Sequence, residues 1–132
     1  MGVTEKLMRY ISIKTPCNEK ADSVPTSTCQ FNLAEILVEE LKELGMDQVV
    51  LDERCFVYGI LRASEGYEDC KKLGVIAHMD TVSEFCEEEI VPVVTKQYNG
   101  EDLTLQKCGR ILSVKDFPHL KELKGRTLIT SD

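Results

Sequence analysis

A histidine and an aspartate two positions apart, His78 and Asp80, are the residues of this chain best suited to chemistry. They follow an apolar run, residues 73–77, that predicts a buried strand ending at the pair. Side chains two apart in an extended segment point to the same side, so both can line one pocket at the strand's carboxyl end. A rigid neutral imidazole with a neighbouring carboxylate suits a metal site. The same spacing fits a structural, hydrogen-bonded pair at a strand end equally well. The residues alone therefore leave the metal site and the structural pair both open.

Other polar groups indicate structure rather than a site. His119 is the second of two histidines, and without partners it predicts a surface or packing role. Glu84 and the run 87–89 follow the motif and predict a solvated loop. The six cysteines form no C-x-x-C pair and have long, irregular spacings. We therefore expect reduced thiols, several of them buried as small apolar groups.

Composition bounds the class of protein and its partners. The chain has 132 residues, 42% hydrophobic and 30% charged, which is ordinary for one soluble domain. Its 23 acidic and 16 basic residues give a net charge of -7, which argues against nucleic acid as a partner. No apolar run is long enough to span a membrane, and no signal peptide is recognisable. We therefore expect a cytoplasmic protein without a membrane partner.

The first half of the chain predicts two helices and a hairpin. Residues 4–13 predict a short helix capped by Thr4 and stopped by Pro16. Ser27 and Gln30 match a capping box, and Gly45 suits the left-handed residue after a second helix. Helical spacing relates Leu33, Ile36, Leu37, Leu41 and Leu44, and the acidic residues Glu35, Glu39, Glu40 and Glu43 predict a solvated face. Strands are expected at 48–51 and 55–61, with a turn at 52–54.

The second half predicts weaker elements. Residues 73–77 form an apolar run typical of a central strand covered on both faces. Further strands are expected at 89–95, 103–105 and 126–130, with a short proline-initiated helix near residues 116–120. Together these elements predict an α/β fold. The last strand has nothing to cover it, which predicts homo-oligomers formed through exposed sheet edges.

The chain resembles the M20 metallopeptidases, and among them the tripeptide aminopeptidases. The motif Gly74-Val-Ile-Ala-His-Met-Asp-Thr81 is similar to the first metal-site motif of that family. The resemblance extends over essentially all of the chain, including Tyr10-Ile-Ser-Ile-Lys-Thr15, Val24-Pro-Thr-Ser27, Glu40-Leu-Lys-Glu-Leu-Gly45, Leu112-Ser113 and Gly125-Arg-Thr-Leu-Ile-Thr-Ser-Asp132. It implies a zinc-peptidase-like catalytic domain, a mixed sheet with helices packed on it.

The resemblance also implies roles for the two motif residues. His78 would be a ligand of one zinc in a two-zinc site, and Asp80 would be the catalytic-site carboxylate that orients it. Family members hydrolyse the first peptide bond of a tripeptide through a metal-bound water and a glutamate general base.

The family's other functional residues lie downstream of the region that this chain resembles. They are an aspartate in a Gly-Ala-Asp-Asp-like motif, a Glu-Glu pair, a further aspartate and a late histidine. We therefore expect residues 1–132 to be an incomplete, inactive amino-terminal part of the catalytic domain that binds zinc weakly at most. The alternative is a stand-alone α/β binding or scaffolding module that retains the His-x-Asp motif as a relic.

Overall fold

A computed structural model describes residues 2–83 and 90–131. The helices and strands within these residues follow in chain order. They are α1 (Val3–Ile11), α2 (Gln30–Glu43), β1 (Asp47–Leu51), β2 (Val57–Ile60), β3 (Val93–Thr95), β4 (Leu103–Thr104), β5 (Ile111–Leu112), the 3-10 helix (Pro118–Leu123) and β6 (Leu128–Thr130). The predicted α/β class is confirmed. The chain divides into two compact units, Ile13–Glu87 and Met1–Ser12 with Glu88–Asp132.

The sheets differ from the single mixed sheet that the resemblance implied. The described strands form three separate antiparallel pairs, β1 with β2, β3 with β6 and β4 with β5. The parallel pairing in the described residues is one isolated bridge between Pro16 and Thr81. Every described strand is therefore an edge strand, with one side of its backbone open to further pairing.

Helix α2 packs on the β1–β2 hairpin and forms the core of the first unit. Leu33 and Ala34 are buried on the helix, and Cys55 is buried in the turn of the hairpin. The predicted helix end is confirmed. Gly45 has a φ of 77°, and the amides of Gly45 and Met46 donate to the carbonyls of Lys42 and Leu41, the hydrogen bonds of a Schellman motif.

Three details of the α2 prediction were wrong. Gln30 is the first helical residue and the N-cap is Cys29, so Ser27 and Gln30 do not form a capping box. The amides of Gln30 and Phe31 already donate to the carbonyls of Ser27 and Thr28 in a preceding turn, which leaves the Gln30 side chain available for other partners. Glu40 is 6% exposed and thus does not belong to a solvated face, whereas Leu44, predicted to face the core, is 63% exposed.

Helix α1 is confirmed, but its ends are set by other residues than predicted. The Gly2 amide donates to the Glu5 carboxylate at 2.7 Å, and Gly2 rather than Thr4 is the N-cap of the helix. The helix ends before Ser12, whose hydroxyl donates to the Arg9 carbonyl at 2.8 Å. Pro16 lies beyond this end and pairs with Thr81 instead of stopping the helix.

The predicted central strand at residues 73–77 is not formed. The segment has no strand partner among the described residues, and its apolar side chains are open to solvent. Leu73 is 89% exposed, Val75 86% and Ile76 97%. A strand covered on both faces needs neighbouring strands and helices to cover it. No described strand or helix covers this segment, so its apolar side chains stay exposed.

The second unit contains two short strand pairs and the 3-10 helix. In the β3–β6 pair, Val93 lies opposite Thr130 and Thr95 opposite Leu128. Tyr98 is 3% exposed beside this pair, and its amide donates to the Arg126 carbonyl at 2.9 Å. The strands expected at 89–95, 103–105 and 126–130 are confirmed in shortened form, and the proline-initiated helix is confirmed as the 3-10 helix Pro118–Leu123. β5 was not predicted, and the start of the predicted strand at 89–95 lies outside the described residues.

Candidate functional site

The His78 and Asp80 side chains lie together on the surface of the first unit. The Nδ1 atom of His78 is 2.9 Å from the Asp80 carbonyl oxygen and 3.3 Å from its Oδ1. The imidazole is 84% exposed and the carboxylate 49% exposed. The expected contact between residues two apart is therefore present, although the segment is not part of a sheet.

These contacts select one tautomer of the imidazole. A carbonyl oxygen and a carboxylate oxygen both accept hydrogen bonds, so Nδ1 must be the nitrogen that carries the proton. In the neutral ring, Nε2 then has a free lone pair. A metal ligand requires a free lone pair on the ring nitrogen remote from the anchoring acceptors, and the neighbouring carboxylate lies where it can orient the ring.

The motif is attached to the rest of its unit through Thr81, to which sequence reasoning assigned no role. The Thr81 amide donates to the Thr15 carbonyl at 2.9 Å, and the Thr81 carbonyl accepts from the Cys17 amide at 2.9 Å. This parallel bridge joins positions far apart in the chain. No local pattern in residues 15–17 could have indicated it.

The described residues bring no further metal ligands to the pair. In residues 2–83 and 90–131, no group of three or more His, Cys, Asp or Glu side chains is arranged to hold a metal ion. A catalytic zinc usually has three protein ligands. The imidazole and carboxylate present therefore fit a part of such a site rather than a whole one.

The remaining candidate groups have surroundings of a different kind. His119 is exposed in the 3-10 helix and meets the Phe117 ring edge-on, at 6.3 Å between centroids, as expected of a surface or packing residue. Of the described cysteines only Cys55 is buried, so the prediction of several buried thiols was wrong. Burial raises the pKa of the Cys55 thiol, and the charge of Asp52 adds to the effect. The acidic run from Glu84 to Glu89 and Cys86 lie outside the described residues.

No protein-family model matches the chain. Curated proteins do match it. Peptidase T of Alkaliphilus oremlandii is 38% identical over 133 aligned positions, which cover 99% of this chain and 32% of that protein. The chain resembles peptidase T over nearly its whole length. Peptidase T of a Geobacillus species is 38% identical over 98% of the chain, and that of Bacillus licheniformis is 39% identical over 97%.

The chain matches only part of each of these relatives. The chain spans about a third of the length of the curated relatives it matches, 32% of the first two and 31% of the third. In addition, no helix among the described residues is long and apolar enough to cross a bilayer.

Proposed function

We propose that this chain carries the first metal ligand of a zinc aminopeptidase of the peptidase T type. His78 would bind zinc through Nε2, and Asp80 would orient the ring and supply negative charge beside it. The observation that supports this most directly is the pair of acceptors on Asp80 that face Nδ1. The match to peptidase T over 99% of the chain supports the same assignment.

We further propose that residues 1–132 are the amino-terminal part of the catalytic domain and that the other ligands belong to a longer polypeptide. The matched relatives are about three times as long as the chain, which covers 32% of them. The exposed apolar segment 73–77 supports the same idea, because in a complete zinc-peptidase-like domain it would be a covered strand of a mixed sheet.

In that setting His78 and ligands of the longer polypeptide would hold zinc, which would supply a water of lowered pKa for attack on the first peptide bond of a tripeptide. The residues of this chain have simpler tasks. Asp80 keeps the proton on Nδ1, and His78 presents Nε2 without having to change tautomer. The 132-residue chain by itself should not hydrolyse peptides, since its described residues hold too few ligands. Cytoplasmic location and the absence of nucleic-acid or membrane partners stay predictions.

A chimera tests this function. The chain replaces the aligned segment of Bacillus licheniformis peptidase T, and both zinc content and release of the amino-terminal residue from a tripeptide are measured. We expect an active chimera that loses zinc and activity with His78→Ala. Asp80→Asn should lower metal affinity or activity by roughly 10- to 100-fold, the usual cost of losing an orienting partner. His119→Ala is the matched control and should change neither.

Two results would count against the proposal. A chimera that keeps its zinc and its activity with His78→Ala would show that His78 is not a ligand. A folded chimera that is inactive and free of zinc with the native residues in place would favour the non-catalytic binding or scaffolding module with a relic motif.

A further inference from the structure

A second layer of hydrogen bonds lies behind the bridge at Thr81. Gln30, the first residue of α2, is 8% exposed. Its Nε2 donates to the Pro16 carbonyl at 3.3 Å and to the Thr26 hydroxyl at 3.4 Å. The same hydroxyl accepts from the Asn18 amide at 3.2 Å. The buried side-chain amide of Gln30 thus donates to residues near both ends of the loop that precedes α2.

The loop segment held by Gln30 is the one that pairs with the motif. Thr15 is 2% exposed, and its carbonyl accepts from the Thr81 amide, while Cys17 donates to the Thr81 carbonyl. The carbonyl of Pro16, which lies between them, accepts from the side-chain amide of Gln30. A continuous path of hydrogen bonds therefore leads from the first turn of α2, through residues 15–17, to the residue after Asp80.

The described segment before Asp80 has few contacts within its unit. Among the described residues, the backbone of residues 71–79 makes no hydrogen bond to any other segment. Leu73, Val75 and Ile76 are almost fully exposed, so packing does not hold the segment either. The two backbone bonds at Thr81 therefore constrain the position of the chain directly after His78 and Asp80.

We propose that Gln30 is a positioning residue for the His78–Asp80 pair. Its amide fixes the Thr15–Cys17 segment, this segment fixes Thr81, and Thr81 sets the end of the motif. The functional value of this arrangement depends on the zinc site proposed above. The positioning itself does not, because its hydrogen bonds join residues of this chain to one another.

Hydrogen exchange of the metal-free chain tests the path. Gln30→Glu keeps the size of the side chain but replaces the donor that faces the Pro16 carbonyl with a carboxylate. The amides of Thr81 and Cys17 should then exchange roughly three- to tenfold faster, the effect of losing one net hydrogen bond. The amides of Asp52 and Phe56, which are hydrogen-bonded in the β1–β2 turn, should keep their rates. Asn32→Ala, an exposed position on the same helix, is the control and should alter none of the four.

The nitrogen-15 shifts of the His78 ring are recorded on the same samples, at a pH where the imidazole is neutral. We expect the native chain to carry the proton on Nδ1, and the Gln30→Glu chain to show a mixture of both tautomers. Unchanged exchange at Thr81 and Cys17 would overturn the path. Faster exchange with an unchanged ring would overturn the positioning role.

The hydroxyl of Thr26 provides a second route if Gln30→Glu does not fold. Thr26→Val removes the acceptor and should reproduce the faster exchange, whereas Thr26→Ser should restore the native rates. A valine variant with native exchange would also overturn the path. Failure of the zinc-site proposal would appear in metal titrations only, so the two outcomes can be told apart.

Discussion

The Asp80 carbonyl, at 2.9 Å, is a closer partner of His78 than the Asp80 carboxylate, at 3.3 Å. The backbone therefore fixes the tautomer of the ring, while the carboxylate adds charge beside it. Sequence reasoning could predict this pair because the contact joins neighbours in the chain. It could not predict the support from Thr15, Cys17 and Gln30, because those contacts depend on how distant segments pack.

The Cys55 thiol should resist alkylation. It is 4% exposed, and burial raises its pKa, so little thiolate forms and little reagent reaches it. We expect iodoacetamide to modify the exposed Cys70 much faster than Cys55, as measured by peptide mass spectrometry. Equal rates for the two thiols in the folded chain would contradict this expectation.

The raised pKa also makes the contribution of Cys55 to stability depend on pH. The folded state favours the neutral thiol, so its contribution is complete below the pKa of the unfolded thiol. It is lost as the pH rises through the higher folded pKa. The denaturation midpoint of the native chain should therefore approach that of Cys55→Ala in alkaline solution. A constant difference between the two midpoints would contradict this.

At the scale of elements, the β1–β2 turn depends on one side chain. Asp52 Oδ1 accepts from the Arg54 amide at 3.0 Å and from the Phe56 amide at 2.8 Å. Asp52→Ala should lower the free energy of unfolding by about 0.5–1.5 kcal/mol, because it removes the acceptor of these two exposed amides. Urea denaturation measures the change, and Glu53→Ala, in the exposed part of the same turn, should cost less than about 0.5 kcal/mol. Equal effects of the two variants would contradict the role of Asp52.

Elements whose partners are close in sequence were predicted well. Helix α2 with its Gly45 end and the β1–β2 hairpin follow from local periodicity and turn residues. The segment 73–77 was predicted wrongly. Its apolar pattern is typical of a covered strand, and the described residues do not cover it. Strand β5 has only two residues, too few for a periodic pattern.

At the scale of the whole molecule, the exposed segment 73–77 and the edge strands predict self-association. Ile76→Lys should reduce it, since it places a charge on a side chain that is 97% exposed and costs no burial. Light scattering over a range of concentrations measures the effect. Val3→Lys, at a side chain that is 87% exposed outside the segment, is the matched control. A monomer at high concentration, or equal effects of the two variants, would contradict the prediction.

The central claim is that His78 is one ligand of a zinc site that the described residues do not complete, and zinc titration of the 132-residue chain tests it most directly. One imidazole with one carboxylate should hold zinc weakly, so that dialysis removes it. His78→Ala should abolish this weak binding, and His119→Ala should leave it unchanged. Tight, stoichiometric zinc in the purified chain, or binding that survives His78→Ala, would contradict the claim.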